Sequence, residues 1–510
     1  MALQPHRQNK KRGLENPRSL LRLSMESLLR EEDRVIAALE HFPQELFPQL
    51  FLEAYAQKCR EIVKAMVRYW PFQCLPVGCL IENLNLPKTF RGLRDVLDGI
   101  DILLSRKFHS RRCKLEVLDL RYTAQKFWTQ WCNREETDQS TSRVKIDESS
   151  RKMHPAAPLE VILDLLLING DTDQLSSIIV KWASGRKKIH LCIRKMYFVD
   201  SPFHNHDMDF IQPGCIQEVE ATFVNRKLSF ETFSPLGQMK RLQRLCLIVM
   251  GLEHICPGNQ AREQLVTELS SQLLKLHDLQ ELYVDSFFFF RGHLDKVLGS
   301  LTPQLKALTI LHCPLLERDL THLCQFRSLP QLRELSLRGT DLSVVGESLP
   351  NMLESCASTL QDLDLGICRL QDVHLEAILP VLKLCSQLKI LNLHWNDVSM
   401  AFLVQMLRDL AGLPHLVMEL YPPPQESYRP NGGGLRYAAL EVVCEELLEV
   451  LRDLGQPRSI MIGCDLCSYC STIIFNSGQP MLSPACCRSV QIRKISHWNS
   501  EDKGVTILGF

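Results

Sequence analysis

The chain has 510 residues, 45% apolar and 23% charged, with Lys+Arg and Asp+Glu equal at 59 each. That length can bury a large core or form several domains, and the balanced charge gives no general attraction to nucleic acid or anionic membrane. Twenty cysteines in so long a chain fall short of a disulfide scaffold.

Residues 1–18 contain Lys10-Lys11-Arg12 but no apolar stretch before a cleavage site, and read as a solvated, disordered start. With no run of about 20 apolar residues for a spanning helix, the expected location is cytoplasm and nucleus, with no membrane partner. Residues 19–110 read as a helical N-terminal region and cap. Leu20, Leu21, Leu23, Leu28 and Leu29 form an apolar set, followed by Val35, Ile36 and Leu39. Phe42-Pro43 opens a new segment, with Pro43 in a first helical turn. A helix near Leu52 to Tyr69 is expected to end at Trp70-Pro71, and another spans 85–104.

The region 111–463 reads as a leucine-rich-repeat solenoid. The phrase L-x-x-L-x-L begins at Leu115-Leu118-Leu120 and is interrupted by a polar insertion, 133–156, expected to be flexible. Leu159 to Ile168 reads as an apolar helix closed at Asn169-Gly170, and Gln174 to Trp182 as a second helix. Ile189, Leu191 and Ile193 alternate as in a strand. Degenerate repeats follow at Ile216-Val219-Ala221 and Leu242-Leu245-Leu247, then a helix from Ala261 to Leu276.

The full phrase recurs at Leu279-Leu282-Val284, Leu305-Leu308-Ile310, Leu332-Leu335-Leu337, Leu360-Leu363-Leu365 and Leu388-Leu391-Leu393. It fades at Leu413-Leu416-Met418. Cys313, Cys368 and Asn396 hold the repeat's N/C position, where a side chain bonds backbone as the strand turns. Amphipathic segments between the strands make each unit a strand plus a helix. The fold class is therefore α/β: a horseshoe with parallel strands on the concave side and the wider helices on the convex side. Leu440 to Leu454 reads as a helix and Ile460-Ile462 as a terminal strand. Residues 464–510 form a cysteine-containing cap and tail.

Catalytic motifs are missing. The chain has no P-loop, no G-x-G-x-x-G after a strand, no H-E-x-x-H, no G-x-S-x-G and no kinase set. The glycines at 432–434 are spacers, and His204 and His206 are a weak metal signal in a polar loop. Cys464, Cys467, Cys470, Cys486 and Cys487 are weighed as a four-thiolate zinc site against free thiols. The adjacent Cys486-Cys487 lacks the spacing of a second knuckle. No enzyme, metal or cofactor is expected.

If the repeat leucines point inward, their neighbours point outward. That puts Glu281, Tyr283, Asp285, Glu334, Arg338, Asp362, Asp364, Asn392 and His394 on the concave face, with Ala307, Thr309, Leu311, Ser336, Gly366 and Ile390 between them. Five carboxylates and one arginine suit a protein segment carrying Lys or Arg and do not suit a phosphate backbone. A solvated face without a partner is the alternative.

The stretches IAALEHFPQELFPQLF, VKAMVRYWPFQCLPVG, VLDGIDILLSRKFHSRRCKLEVLDLR, LYVDSFFFFRGHLDKVL and CSQLKILNLHWN resemble the PRAME family (preferentially expressed antigen in melanoma) over about Leu20 to Cys487. The resemblance implies a substrate receptor of a cullin–RING ubiquitin ligase, recruited through elongin B and C. It also implies protein clients among nuclear receptors or chromatin regulators, and roles in transcription, proliferation, differentiation and apoptosis. Members of the family carry an elongin box, small-Leu-x-x-x-Cys-x-x-x-aliphatic. Ser19-Leu20 through Leu23, Ser24 and Leu28 follow it with Ser24 in place of Cys. Phe42-Pro43-Gln44-Glu45-Leu46 supplies the cullin-box pattern through Pro43 and Leu46. Ser483 stands where the family has a cysteine. A co-repressor or scaffold that works without ubiquitination is the alternative function.

Overall fold

The computed structural model describes residues 20–81, 90–105, 110–121, 127–128, 158–201, 211–224, 228, 232–250, 258–344, 348–430, 433–454, 460–463, 472–476 and 479–482. The insertion at 133–156, His204 and His206, and the five C-terminal cysteines lie outside these. The chain forms two compact units. One holds the residues up to Asp164 and Asp173–Ile193, and the other holds Leu165–Thr172 and everything from Arg194 onward.

The first unit begins with α1 (Leu20–Leu28), α2 (Glu32–Ala38), α3 (Phe47–Ala56) and α4 (Arg60–Arg68). The single helix expected over 52–69 is two. Cys59 N–H donates to the Ala54 carbonyl (2.9 Å), Lys58 N–H donates to Tyr55 (3.2 Å), and Lys58 has φ 63°. This is a Schellman stop with lysine where glycine usually stands. Behind it Phe47, Phe51, Trp70 and Trp128 pack edge-on, stacked or tilted, with centroids 5.2–6.2 Å apart. The strands β1 (Cys74–Pro76) and β2 (Val117–Asp119) pair in parallel, with α5 (Arg91–Ser105) between them in sequence.

The sequence reading fails at Leu159–Ile168, which is a strand, β3, and not a helix. Its start pairs in parallel with β2. Burial follows every second residue from Leu159 to Leu167, but Ile162, Leu166 and Ile168 are apolar on the alternate positions too, so the apolar sequence does not alternate. Asn169-Gly170, read as a helix stop, is a two-residue hairpin turn with φ 53° and 94°, leading to β4 (Asp171–Thr172). The helix α6 (Gln174–Ala183) then follows as expected, its first turn capped by Asp173.

The second unit is the solenoid. From β5 (Ile189–Val199) the parallel order runs β6 (Glu218–Val224), β7 (Arg244–Met250), β8 (Glu281–Asp285), β9 (Ala307–Leu311), β10 (Glu334–Ser336), β11 (Asp362–Asp364), β12 (Ile390–Asn392) and β13 (Met418–Tyr421). The helices α7 (Asn259–Leu273), α8 (Leu294–Ser300), α9 (Glu317–Cys324), α10 (Ser348–Cys356), α11 (Asp372–Leu382), α12 (Met400–Asp409) and α13 (Tyr437–Asp453) pack in chain order, each on the next. Val219, Leu245, Leu282, Leu308, Leu335, Leu363 and Leu391 fall in register and are buried.

A short antiparallel pair, β14 (Tyr428–Arg429) and β15 (Gly433–Leu435), precedes β16 (Ile460–Gly463), which pairs in parallel with β13. Ile460-Ile462 is not terminal, because β17 (Thr472–Asn476) and β18 (Gln479–Leu482) extend the sheet antiparallel.

Each strand from β8 to β12 ends in the left-handed region: Ser286, His312, Gly339, Ile367 and Trp395, with φ between 48° and 74°. Each of the first four donates its N–H to a carbonyl of the following repeat, at 2.8–3.0 Å, on Leu311, Arg338, Gly366 and His394. Beside them Asn396, buried, donates to the carbonyls of Leu365 and Leu393, both at 2.8 Å, and accepts from the N–H of Cys368 and Leu370. The Cys313 and Cys368 thiols donate to carbonyls in the same position. Burial pushes both thiols up to about 12, so they stay protonated.

Candidate functional site: the exposed sheet face and the first helix

The strand register from β8 to β12 is unbroken, so the residues between the inward leucines fall in rows. Three rows cross the strands. The first reads Ala307, Glu334, Asp362, Ile390 and Met418, and the second Thr309, Ser336, Asp364, Asn392 and Leu420. The third carries Leu311, Arg338, Gly366 and His394 at the strand ends. The first row from Glu334 onward, the second row, Tyr283, Leu311 and Arg338 line one hollow.

The last repeat departs from the expected phrase. Leu391 pairs with Glu419, so Glu419 and Tyr421 take the inward positions while Met418 and Leu420 face outward. The expected phrase Leu413-Leu416-Met418 is therefore one residue out of register. A shift of one residue transfers every side chain to the opposite face. Glu419 is 1% exposed and accepts from the Tyr421 hydroxyl at 2.7 Å. The shift adds two apolar side chains, Met418 and Leu420, to what alternation alone presents as a polar face.

The predicted acidic residues are not equivalent. Glu281 meets Arg244 at 3.3 Å, within a cross-strand run that includes Glu218 and Lys195. Applying the same alternation to β7 would have identified Arg244. Asp285 is held by His312 Nδ1 and by the Ser286 hydroxyl, both at 3.0 Å. Asn392 Oδ1 accepts from the His394 N–H, so it supports the turn.

His394 is 4% exposed, which corrects its reading as an open client contact. Desolvation first, then Arg338, pushes its imidazole down to about 3, leaving it neutral. Its ring stacks on Trp395 at 5.7 Å and 8°, and Trp395, which the sequence reading passed over, is 53% exposed.

Glu334, Asp362 and Asp364 lie together at the centre of the face. Burial, then Glu334 directly across the strand, pushes Asp362 up to about 6. Burial also raises Asp364, offset by the Gly366 N–H and then by Arg338. Arg338 is itself lowered by desolvation, against the pull of Asp364, Tyr283 and Asp285. Tyr283 is raised by burial and then by Asp285.

In the first unit, α1 has apolar side chains on two faces. Met25 is buried, as is Leu29 just beyond the helix, while Leu20, Leu23 and Leu28 are 83%, 46% and 42% exposed. Ser24 is exposed, its hydroxyl donating to the Leu20 carbonyl at 2.8 Å. Pro43 is exposed before the 3₁₀ turn Gln44–Leu46, and Leu46 is half-buried. Arg112 fixes this corner by donating to the carbonyls of Glu40 and Phe42 with its guanidinium over the Phe47 ring.

Register, inward leucines and the Asn/Cys corner define a leucine-rich-repeat protein. The sequence also matches the PRAME N-terminal domain over residues 16–128 and the PRAME C-terminal domain over 159–487. It is 38% identical over 484 residues to human PRAME family member 12, covering 93% of this chain and 99% of that one. It is 37% identical to human PRAME family member 20, over 90% and 97%. The chain belongs to the PRAME family.

Among solved structures it is similar to an internalin (inlF) of Listeria monocytogenes, at 17% identity and TM-score 0.28, over 46% of this chain and 66% of that one. It is also similar to a chain of the Rad7 and Elc1 complex in yeast, at 11% and 0.37, over 82% and 98%. Both scores are low, and the fold rests on this chain's own strand register. Family membership and a repeat architecture with an open sheet face together support a protein-binding adaptor.

Proposed function

We propose that this chain is a substrate-recognition adaptor of a cullin–RING ubiquitin ligase of the elongin B/C type. The sheet face captures a protein client, and the first helices attach the chain to the ligase. The observation that carries the reading is α1: a nine-residue helix whose core side is satisfied by Met25 yet which exposes Leu20, Leu23 and Leu28. Exposed leucines one and two helical turns from Leu20 are what a groove-binding helix presents.

Ser24 is compatible with this role. Its hydroxyl is already bonded within the helix, so docking does not strand it. Purification of the tagged chain with elongin B and C tests the reading. Leu20→Asp with Pro43→Asp should abolish co-purification and leave the thermal transition within about 2 °C, because both side chains are exposed. Elongin retained by that variant would defeat the ligase reading and leave a scaffold of nuclear factors in its place.

A further inference from the structure

The solenoid carries a second charged surface, apart from the rows of its sheet face. Each repeat runs strand, helix, parallel strand, so the connections that lead from a helix into the next strand fall on one edge of the sheet. From 239–243 to 410–417, seven such connections hold eight Lys or Arg and one carboxylate, Asp278. The connections that leave the strands carry both signs, and their Arg369 is already paired with Asp341 at 3.0 Å.

Three of the cations stand in a line. Gln280, Lys306, Arg333, Gln361 and Lys389 immediately precede β8 to β12, and each after the first donates its N–H to the carbonyl of the one before, at 2.7 Å. Neighbours in the line are therefore about 4.8 Å apart. Lys306, Arg333 and Lys389 are exposed, and among the described residues none of the three makes a salt bridge. The Lys306 and Lys389 ammoniums donate to the side-chain carbonyls of Gln280 and Gln361, at 2.8 and 2.9 Å, which holds them along the line. Lys389 acts on Asp362 only from beyond ion-pair distance. Cations beside a helix C-terminus offset its dipole, but that effect fades within the last turn. Lys306, Arg333 and Lys389 lie six, nine and seven residues past Ser300, Cys324 and Leu382, so the dipole does not account for them.

We propose that this edge docks an acidic segment of a partner protein, laid across the strands in extended form. This docking is independent of the ligase reading. Two observations favour a narrow protein segment over a broad anion. Glu334 and Asp362 directly follow Arg333 and Gln361, so a nucleic-acid duplex or an anionic bilayer resting on the cations would meet carboxylates as well. A single extended chain is narrow enough to meet the cations alone. The line also ends in apolar groups. Exposed Val417 donates its N–H to the Lys389 carbonyl at 2.9 Å, and Leu384 is exposed in the connection that leads to Lys389. A phosphate backbone has no use for them, and these connections hold no exposed Phe, Tyr or Trp on which bases could stack.

Fluorescence anisotropy on the full-length chain tests this with a labelled oligoglutamate peptide ending in leucine. Its oligoglutamine counterpart, a single-stranded oligothymidine, and vesicles of phosphatidylcholine and phosphatidylserine are the other probes. The glutamate peptide should bind about tenfold or more tighter than the glutamine peptide. Lys306→Glu with Arg333→Glu and Lys389→Glu should remove that advantage. Arg291→Glu with Arg318→Glu and Arg369→Glu, on the opposite edge, changes the net charge equally and should leave binding unchanged. Thermal transitions of both variants verify the fold, and the corresponding change of Lys306, Arg333 and Lys389 to Gln carries the test if charge reversal unfolds the chain. No binding of the glutamate peptide, no loss in the line variant, or equal loss in both variants would overturn the proposal. Tighter binding of the oligothymidine or the vesicles, lost in the line variant, would overturn it in favour of that partner.

Discussion

At the scale of single residues, two positions carry a cost that the rest of the chain offsets. Asp362 is one. Its folded carboxyl is pushed up to about 6 from an ordinary value near 3.8, so the ionised form is disfavoured in the folded state. The folded protein therefore binds the proton more tightly than the unfolded chain. The group's contribution to stability falls as pH rises between about 4 and about 6 and is constant above. Asp362→Asn should stabilise the protein at pH 7.5 by on the order of 1–2 kcal/mol and change little at pH 4. Urea titrations at the two pH values check it, and equal shifts at both would refute the assignment.

Lys58 is the other costly residue. It occupies the left-handed stop of α3 with its side chain exposed, so Lys58→Gly should gain about 1 kcal/mol, measured by denaturant midpoint. The missing glycine is also why the break between α3 and α4 was not legible in the sequence.

At the scale of elements, the repeats were legible because each leucine phrase repeats one physical requirement: an apolar side chain under every strand. Legibility failed where that requirement was met by other means. The strand β3 carries apolar residues at Ile162, Leu166 and Ile168 on its alternate positions as well, so its leucines lose the alternation that marks a strand, and the Asn-Gly hairpin turn after it reads equally as a helix stop. In β13 the core position holds Glu419, and the apolar pattern slid one residue to find a leucine. The carboxylate is tolerated there because Tyr421 donates to it in the core. Tyr421→Phe should cost about 2 kcal/mol by withdrawing that donor, and adding Glu419→Leu should recover most of the loss. A double-mutant cycle by thermal or chemical denaturation measures this. Additive losses would show that the pair does not act as a unit.

At the scale of the whole molecule, the outward residues of the candidate site followed from alternation once the strands were placed. Their inequality did not. That Glu281 and Asp285 are engaged within the fold depends on Arg244 and His312, which reach them from neighbouring repeats. Such cross-repeat partners are set by register, which a linear reading resolves only for an intact phrase. The adaptor reading assigns ligase attachment to residues of the first unit and client capture to residues of the second. In an affinity pull-down, a chain lacking residues 1–50 should accordingly lose elongin while keeping its protein client.

Cys368 and Asn396, equivalent corners of adjacent repeats, lie 28 residues apart, and the corner bonds join each repeat only to its neighbours. A gene rearrangement that duplicates or drops one 28-residue module therefore leaves two ends able to rejoin by the same hydrogen bonds. Because each row takes one residue from every module, such an event lengthens or shortens all rows at once. Under the adaptor reading, changing the number of modules alters the client-facing rows while the first helices are left untouched.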